Sequence, residues 1–428
     1  MNLLEGKNRK ASLAYVLAGG IVKGLSLIIT PIVTRLLSPS EFGIYTLYVS
    51  YLSIVTVITT LEISGSSIYS SLVSEKNRYS FIYSLSLVSL CLSLLFSLIY
   101  LIFREQINAF TGISTNLMLI LLFQVFLNCI ESLYLANLRH EIKYKTVFLI
   151  TVGSGILQAI LTLLFITVLD YGGVGRIYAP LYTSLAIVTP MAISILKKGN
   201  LTFSKSVFSY IFKRVIPLLP HYISLSLMAQ AGRIAISKHI GQDMLGKYGV
   251  AQSFALSVSI ITVGLSNAIF PWINKHLQNK NFTRVWVIVT KSVFCVLGIV
   301  TLFLLFTPRI YPVFASGKYH DAVSVIYPLA IGVVFVFISG ILSQIIYSVS
   351  SSKFVGYISI LSAVLTVLLS FSSVQTQGIL GVAFSLLFGE AFSALLKALY
   401  LVYLKLPVYK FSYLPFLYTA LFLVGTFF

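Results

Sequence analysis

The 428 residues are 58% hydrophobic and only 10% charged, with a mean hydropathy of +0.96. A soluble chain carries roughly 25% charged residues, so this one lacks the polar groups to cover a water-facing surface and its outside must meet lipid. The formal net charge of +19 would suit nucleic acid, but Lys and Arg recur in short runs between apolar stretches, which argues against a nucleic-acid partner.

An apolar stretch of about 20 residues crosses the hydrocarbon core as a helix. Lys7, Arg9 and Lys10 precede a run that continues past signal-peptide length without a small-residue cleavage site, so it reads as an uncleaved first span. In chain order, spans are predicted at 13–36, 43–70, 80–103, 115–137, 147–169, 175–196, 216–239, 247–270, 286–307, 323–347, 354–374 and 378–403. The fold class is therefore an all-α polytopic membrane protein of about twelve transmembrane helices, with 411–428 apolar enough for a thirteenth. The longest polar connection, Lys197 to Arg214, divides the chain into a first six-helix bundle (1–196), a cytoplasmic linker (197–214), a second six-helix bundle (215–410) and the last stretch (411–428).

Orientation follows from the positive-inside rule. With the N-terminus in the cytoplasm, nineteen Lys and Arg fall on inner segments, among them Lys143, Lys145, Lys197, Lys205 and Arg214. Only seven fall at outer ends and loops: Arg35, Arg104, Arg176, Lys238, Lys247, Arg309 and Lys318.

No cofactor or metal is expected. Cys91, Cys129 and Cys295 lie singly in apolar stretches, and His140, His221, His239, His276 and His320 are scattered without ligand spacing. A P-loop, a G-x-S-x-G turn and an H-E-x-x-H helix are all lacking, so no catalytic set is expected either.

Ionisable residues inside a span are costly and mark a cavity or a partner. Those placed deep are Lys23 (span one), Glu62 (two), Glu131 (four), Arg233 (seven), and Glu390 and Lys397 (twelve). Lys23 sits beside Gly19, Gly20 and Gly24, which would permit close approach by a neighbouring helix or a ligand. Glu390 and Lys397 share a face but are seven residues apart, too far along the axis to pair directly. Glu390 is the first candidate for ion coupling, followed by Glu62 and Glu131, which could equally be structural or meet Lys23.

An internal repeat joins the halves. Thr34–Val55 and Ser237–Val258 align at one offset that sets Arg35 on Lys238, Gly43 on Gly246 and Tyr45 on Tyr248. These two basic residues suit headgroup contact or substrate release at the outer mouths. A repeat in the same orientation implies an axis along the membrane normal.

The stretch AGGIVKGLSLIITPIVTRLLSPSEFGIYTLY (18–48) and the stretch GRIAISKHIGQDMLGKYGVAQSFA (232–255) resemble bacterial polysaccharide repeat-unit flippases, of the multidrug/oligosaccharidyl-lipid/polysaccharide exporter superfamily. That family often carries an Asp-Arg pair where this chain has Gly232-Arg233. The resemblance implies two pseudo-symmetric six-helix bundles around a central cavity that opens alternately inward and outward, in the bacterial inner membrane. It implies an undecaprenyl-diphosphate-linked oligosaccharide as substrate, bound by bases such as Lys23, Arg233, Arg35, Lys238 and Lys397. A polysaccharide polymerase and a chain-length regulator would be partners beside the membrane lipids. The alternatives are a cation-coupled multidrug antiporter of the same superfamily, a peptidoglycan-precursor flippase, and a polysaccharide polymerase, against which the short outer loops argue.

Overall fold

The computed structural model describes residues 2–65, 68–75, 77–199, 201–279, 281–350 and 352–406. The stretch 411–428 lies outside them, as do Lys76, Lys280 and Lys410 of the charge tally. The fold is all-α and polytopic: among the described residues, ten helical segments are long and apolar enough to cross a membrane. They form two compact units, divided between Ser226 and Leu227.

The first unit contains α1 (Asn2–Leu36), α2 (Pro39–Thr60), α3 (Arg78–Ile102), α4 (Thr115–His140), α5 (Tyr144–Thr167) and α6 (Gly172–Gly199). Each start has a local cause. Pro39 opens α2 at a position where a missing N–H costs nothing. There Ser38 and Glu41 also form a capping box, with Ser38 N and Oγ donating to Glu41 Oε2 at 2.8 and 2.7 Å. Asn77 caps α3 through the Ser80 N–H. α2 stops ten residues before the expected end of span two, because Leu61 and Glu62 both take left-handed φ values, 52° and 53°. Glu62 therefore lies in a turn, not within a span, and its N–H is bonded to the Thr60 hydroxyl.

The segment expected as linker is tied into this unit. Ser80 Oγ donates to Gly199 O at 3.0 Å, and the Ser204 N–H donates to Ser84 Oγ at 2.8 Å. Val207, Tyr210, Ile211 and Val215 are then buried in the core with Phe81, Leu85 and Leu133, and the Tyr210 hydroxyl reaches Ile63 O at 2.7 Å. The polar sequence 197–205 is short and is followed by apolar side chains that gain more from burial than from spanning water.

The second unit begins within α7 (Leu219–His239) and continues through α8 (Gln242–Gln278), α9 (Phe282–Phe314) and α10 (Ile326–Val349). α7 is not among the ten apolar segments; His221, Gln230, Arg233 and Lys238 lower its hydropathy. The last long helical run, Ser352–Tyr403, breaks at Gly378 (φ 62°) into α11 (352–377) and α12 (379–403). The arms fold back on each other. Phe354 stacks on Tyr400 at 4.3 Å, Ser373 meets Ser385 at 2.9 Å, and a Cβ on Gly389 would overlap Thr366. With α7 and this break counted, the described helices match the twelve expected spans.

The two units repeat one pattern. α1 ends at Leu36 and α2 begins at Pro39; 203 residues later α7 ends at His239 and α8 begins at Gln242. Gly43 and Gly246 are both buried, and Ser50 and Ser253, related by the same offset, each donate to the carbonyl four residues back at 2.8 Å. Outward faces of α1, α3, α5 and α9 carry exposed Leu, Ile and Phe, as a surface in lipid requires. α10 is the opposite, with 83% of its most apolar window buried.

Candidate functional site

In the first unit, Lys23 is exposed on α1. The glycines beside it are not a packing notch: a Cβ on Gly19, Gly20 or Gly24 would meet nothing within 4 Å. The close approach lies on α5 instead, where a Cβ on Gly155 would stand 2.9 Å from Val22 Cγ2. Glu131 is half-buried on α4. Among the described residues, none of Lys23, Glu62, Glu131, Glu390 or Lys397 makes an ion pair within 4.0 Å. The acids are thus not brought onto Lys23. Arg35 is exposed at the end of α1, its guanidinium turned back to Pro31 O at 2.6 Å, and Lys238 is likewise exposed near the end of α7.

In the second unit Arg233 is half-buried on α7 and is bonded to two glutamines. Its Nε donates to Gln252 Oε1 at 2.7 Å and its Nη1 to Gln230 Oε1 at 3.2 Å. Gln252 is only 3% exposed, so this bond is formed inside the unit. The position before Arg233 has no room for a carboxylate, since a Cβ on Gly232 would stand 2.5 Å from Val382 Cγ1 on α12. Glutamine oxygens therefore orient the guanidinium without bringing a counter-charge of their own.

Lys397 is 5% exposed, and its Nζ donates to Ser339 Oγ of α10 at 2.5 Å, with Ser393 Oγ 3.2 Å further on. Glu390 is half-buried one face-length away along α12. The seven-residue spacing keeps the two apart, and a hydroxyl from another helix takes the place of the acid.

One arrangement was hidden in the sequence. Arg176, counted as an outer-end charge, lies at the start of α6 with its guanidinium carbon 4.3 Å from the Phe42 ring and 4.0 Å from the Tyr45 ring. Three glycines bring it there. Gly172 and Gly173 let the chain pass directly over Glu41, whose Oε1 accepts the Gly173 N–H at 3.3 Å, and Gly175 packs close on Phe165, where a Cβ would stand only 3.0 Å from the Phe165 Cβ. The run GGVGR after a capping box was the available signal. Arg176 and Tyr45 line a pocket of about 190 Å³ with residues of α1 and α5, including Ser26, Gln158 and Thr162. The α1 residues on this wall, Val22, Leu25, Ser26 and Ile29, share one helical face; Lys23 stands about 100° round the helix from Val22 and off it.

Two units of helices long and apolar enough to cross a membrane define a multi-pass membrane protein. The chain matches the inward-facing conformation of a multidrug resistance MATE family transporter of the MOP superfamily with a TM-score of 0.71, covering 89% of this chain and 93% of that one at 17% identity. It matches the outward-facing conformation of a transporter so described with a TM-score of 0.65, covering 94% and 97% at 16% identity. At such identity the likeness is one of fold.

The family follows from the sequence match: the chain belongs to the polysaccharide biosynthesis protein family, whose model matches residues 32–324. A stretch of 84 residues, 20% of the chain, is 34% identical to Lsg locus protein 1 of Haemophilus influenzae, and the chain spans 21% of that relative's length in the match.

Proposed function

We propose that this protein flips undecaprenyl-diphosphate-linked oligosaccharide repeat units from the cytoplasmic to the periplasmic leaflet of the bacterial inner membrane, with its own N-terminus in the cytoplasm. The reading rests on one conjunction: a polysaccharide-building family on a transporter fold. A saccharide that must cross a membrane during polymer synthesis is carried on a lipid, and its head group needs a polar path. Lys23 and Arg233 supply fixed positive charge for the diphosphate, which offsets part of its lost hydration. Lys397 adds a third base, and Arg35 and Lys238 receive the head group near the outer surface. Glu390, with Glu62 and Glu131, is proposed to couple movement to an ion gradient. A polymerase and a chain-length regulator would take the product.

The test is a flipping assay in liposomes with a polyprenyl-diphosphate oligosaccharide, comparing wild type with Lys23→Ala and Arg233→Ala. Movement is expected in the wild type and a loss of at least tenfold in each variant. Movement indifferent to both changes discards these residues as the anion site. Absence of movement with any lipid-linked sugar, together with transport of a cationic dye, replaces the flippase by a drug antiporter.

A further inference from the structure

A hydroxyl inside a helix usually bonds the carbonyl four residues back, and Ser343, Ser359 and Thr366 do so at 2.8–2.9 Å. Ser339 and Ser393, 6% and 5% exposed, instead turn across from α10 and α12 and meet each other at 3.2 Å. Ser339 Oγ also accepts from Lys397 Nζ at 2.5 Å. Glu390, Ser393 and Lys397 stand at i, i+3 and i+7 on one face of α12, so Glu390 is the helical neighbour of Ser393. Among the described residues Glu390 has no hydrogen bond or ion pair, and Lys397 has only the Ser339 hydroxyl. The surrounding elements bring neither a counter-charge. The titratable groups are Tyr327 and Tyr347 on α10, the exposed Lys353 and Tyr357 on α11, and Tyr400 and Tyr403 on α12. Met228 of α7 would lie 3.5 Å from a Cβ on Gly389, and that helix goes on to Arg233, Lys238 and His239. The segment 317–325, which also packs on the α11–α12 hairpin, carries Lys318, Tyr319, His320 and Asp321. None of them is bonded to Glu390 or Lys397.

We propose that Glu390, Ser393, Ser339 and Lys397 form one proton path, which switches the charge of Lys397 on and off. An ammonium and a carboxylate held apart inside a membrane unit are both costly; one proton passed between them leaves two neutral groups. In that step an Nζ–H bond of Lys397 breaks, its electron pair stays on Nζ, and Ser339 Oγ takes the proton. The Ser339 hydroxyl proton passes to Ser393 Oγ, and the Ser393 proton to a Glu390 carboxylate oxygen, where the new O–H bond forms. Both serines end as the alcohols they were. Seven residues separate the ends, so the charge moves about 10 Å along the helix axis through a buried row. Half-buried Glu390 is the port through which water supplies or removes the proton. The path rests on the flippase reading only for its purpose: Lys397 offers its positive charge to a diphosphate while the proton is on it and withdraws it when the proton leaves.

The experiment uses the purified full chain in nanodiscs with isotope-labelled lysine, the Lys397 signal being the one lost in Lys397→Met. Its Cε shift reports the charge of the amine, and the infrared carboxyl band lost in Glu390→Gln reports Glu390. In the wild type the two signals are expected to share their pH midpoints, because protons leave the pair rather than either residue. Separate midpoints overturn the switch. Exchange of the Lys397 Nζ hydrogens with water should slow at least tenfold in Ser393→Ala and in Glu390→Gln, and stay unchanged in Ser343→Ala, a hydroxyl off the path. Damage to the fold would expose the amine and speed exchange, so the sign separates a lost path from a loosened structure. Should Ser393→Ala prove loosened, Glu390→Gln decides. Exchange that is not slowed in either variant overturns the path. In liposomes, movement of a lipid-linked oligosaccharide should fall at least tenfold in Ser393→Ala; undiminished movement overturns the link to transport. Shared midpoints and slowed exchange in a protein that moves no lipid-linked sugar overturn the flippase reading and leave the path standing.

Discussion

Lys397 shows how a single side chain can be placed by the sequence and partnered only by the fold. Its depth follows from its position in an apolar stretch, whereas its bond to Ser339 comes from a helix 58 residues away. A buried cation held by a hydroxyl is a poor contributor to stability, because its lost hydration is not repaid by a counter-charge. Lys397→Met is therefore expected to leave stability in detergent unchanged or raised by at most about 1–4 kcal/mol, so that the thermal midpoint does not fall. A fall of several degrees would mean that the amine is structurally required. Glu141 and Lys143, in the turn between α4 and α5, behave differently. Their side chains meet at 2.6 Å. Burial pulls the Glu141 carboxyl upward, but the hydrogen bond and charge of Lys143, with the Asn137 amide, outweigh it and hold the carboxyl below the usual range. The same bond raises Lys143 above the usual lysine range. For the depressed carboxyl, the stabilisation is present above its unfolded value and is lost as pH falls through the folded one; for the raised amine, it is lost as pH rises through its own folded value. Lys143 is half exposed, so screening keeps the effect to no more than about 1 kcal/mol. Thermal midpoints of wild type and Glu141→Gln should differ near neutral pH and converge in acid. A constant gap would show that the carboxyl is not what is titrating.

At the scale of elements, glycine decides where helices touch. In lipid, apolar helices gain little from hiding from solvent, so close backbone approach and packing carry their association. Gly155 admits Val22, Gly232 admits Val382, and Gly389 admits Thr366. The last contact closes the α11–α12 hairpin. Gly389→Ala is expected to destabilise by about 1–3 kcal/mol through overpacking, and Thr366→Ala in the same chain should recover most of the loss because it removes the atoms in the way. Unfolding of the single and double variants in detergent measures this as a coupling energy; additive losses would place the strain elsewhere. Span two shows the limit of hydropathy at this scale. Its apolar run reads through to residue 70, yet two consecutive left-handed residues end α2 at Thr60, and nothing in residues 61–62 announces a turn. Hydropathy is equally silent on how the expected linker packs, because Val207, Tyr210 and Ile211 find their core partners on α3 and α4, far off in sequence.

For the whole molecule, the family membership rests on a match over residues 32–324 and the fold on its likeness to a solved MATE structure. The proposed topology makes a direct prediction. In intact cells, a membrane-impermeant thiol reagent should label Asp170→Cys and Lys318→Cys in a background with Cys91, Cys129 and Cys295 replaced. Lys143→Cys and Lys205→Cys should react only after permeabilisation; all four positions are exposed on the protein. The inverse pattern would turn the chain over and with it the direction of transport.

The sequence by itself determined what depends on composition and short-range pattern: an all-α polytopic chain, most of its spans and the repeat across 203 residues. Those properties follow from the hydrocarbon thickness and the cost of charge within it, which act on each segment separately. Only the tertiary structure decided which groups meet. Gln252 and Gln230 stand at Arg233, Ser339 stands at Lys397, and Arg176 is folded over Phe42 and Tyr45 to make a pocket wall. Such meetings depend on the rotation and spacing of packed helices, set by glycines and side-chain volumes on different segments, and no one segment encodes them.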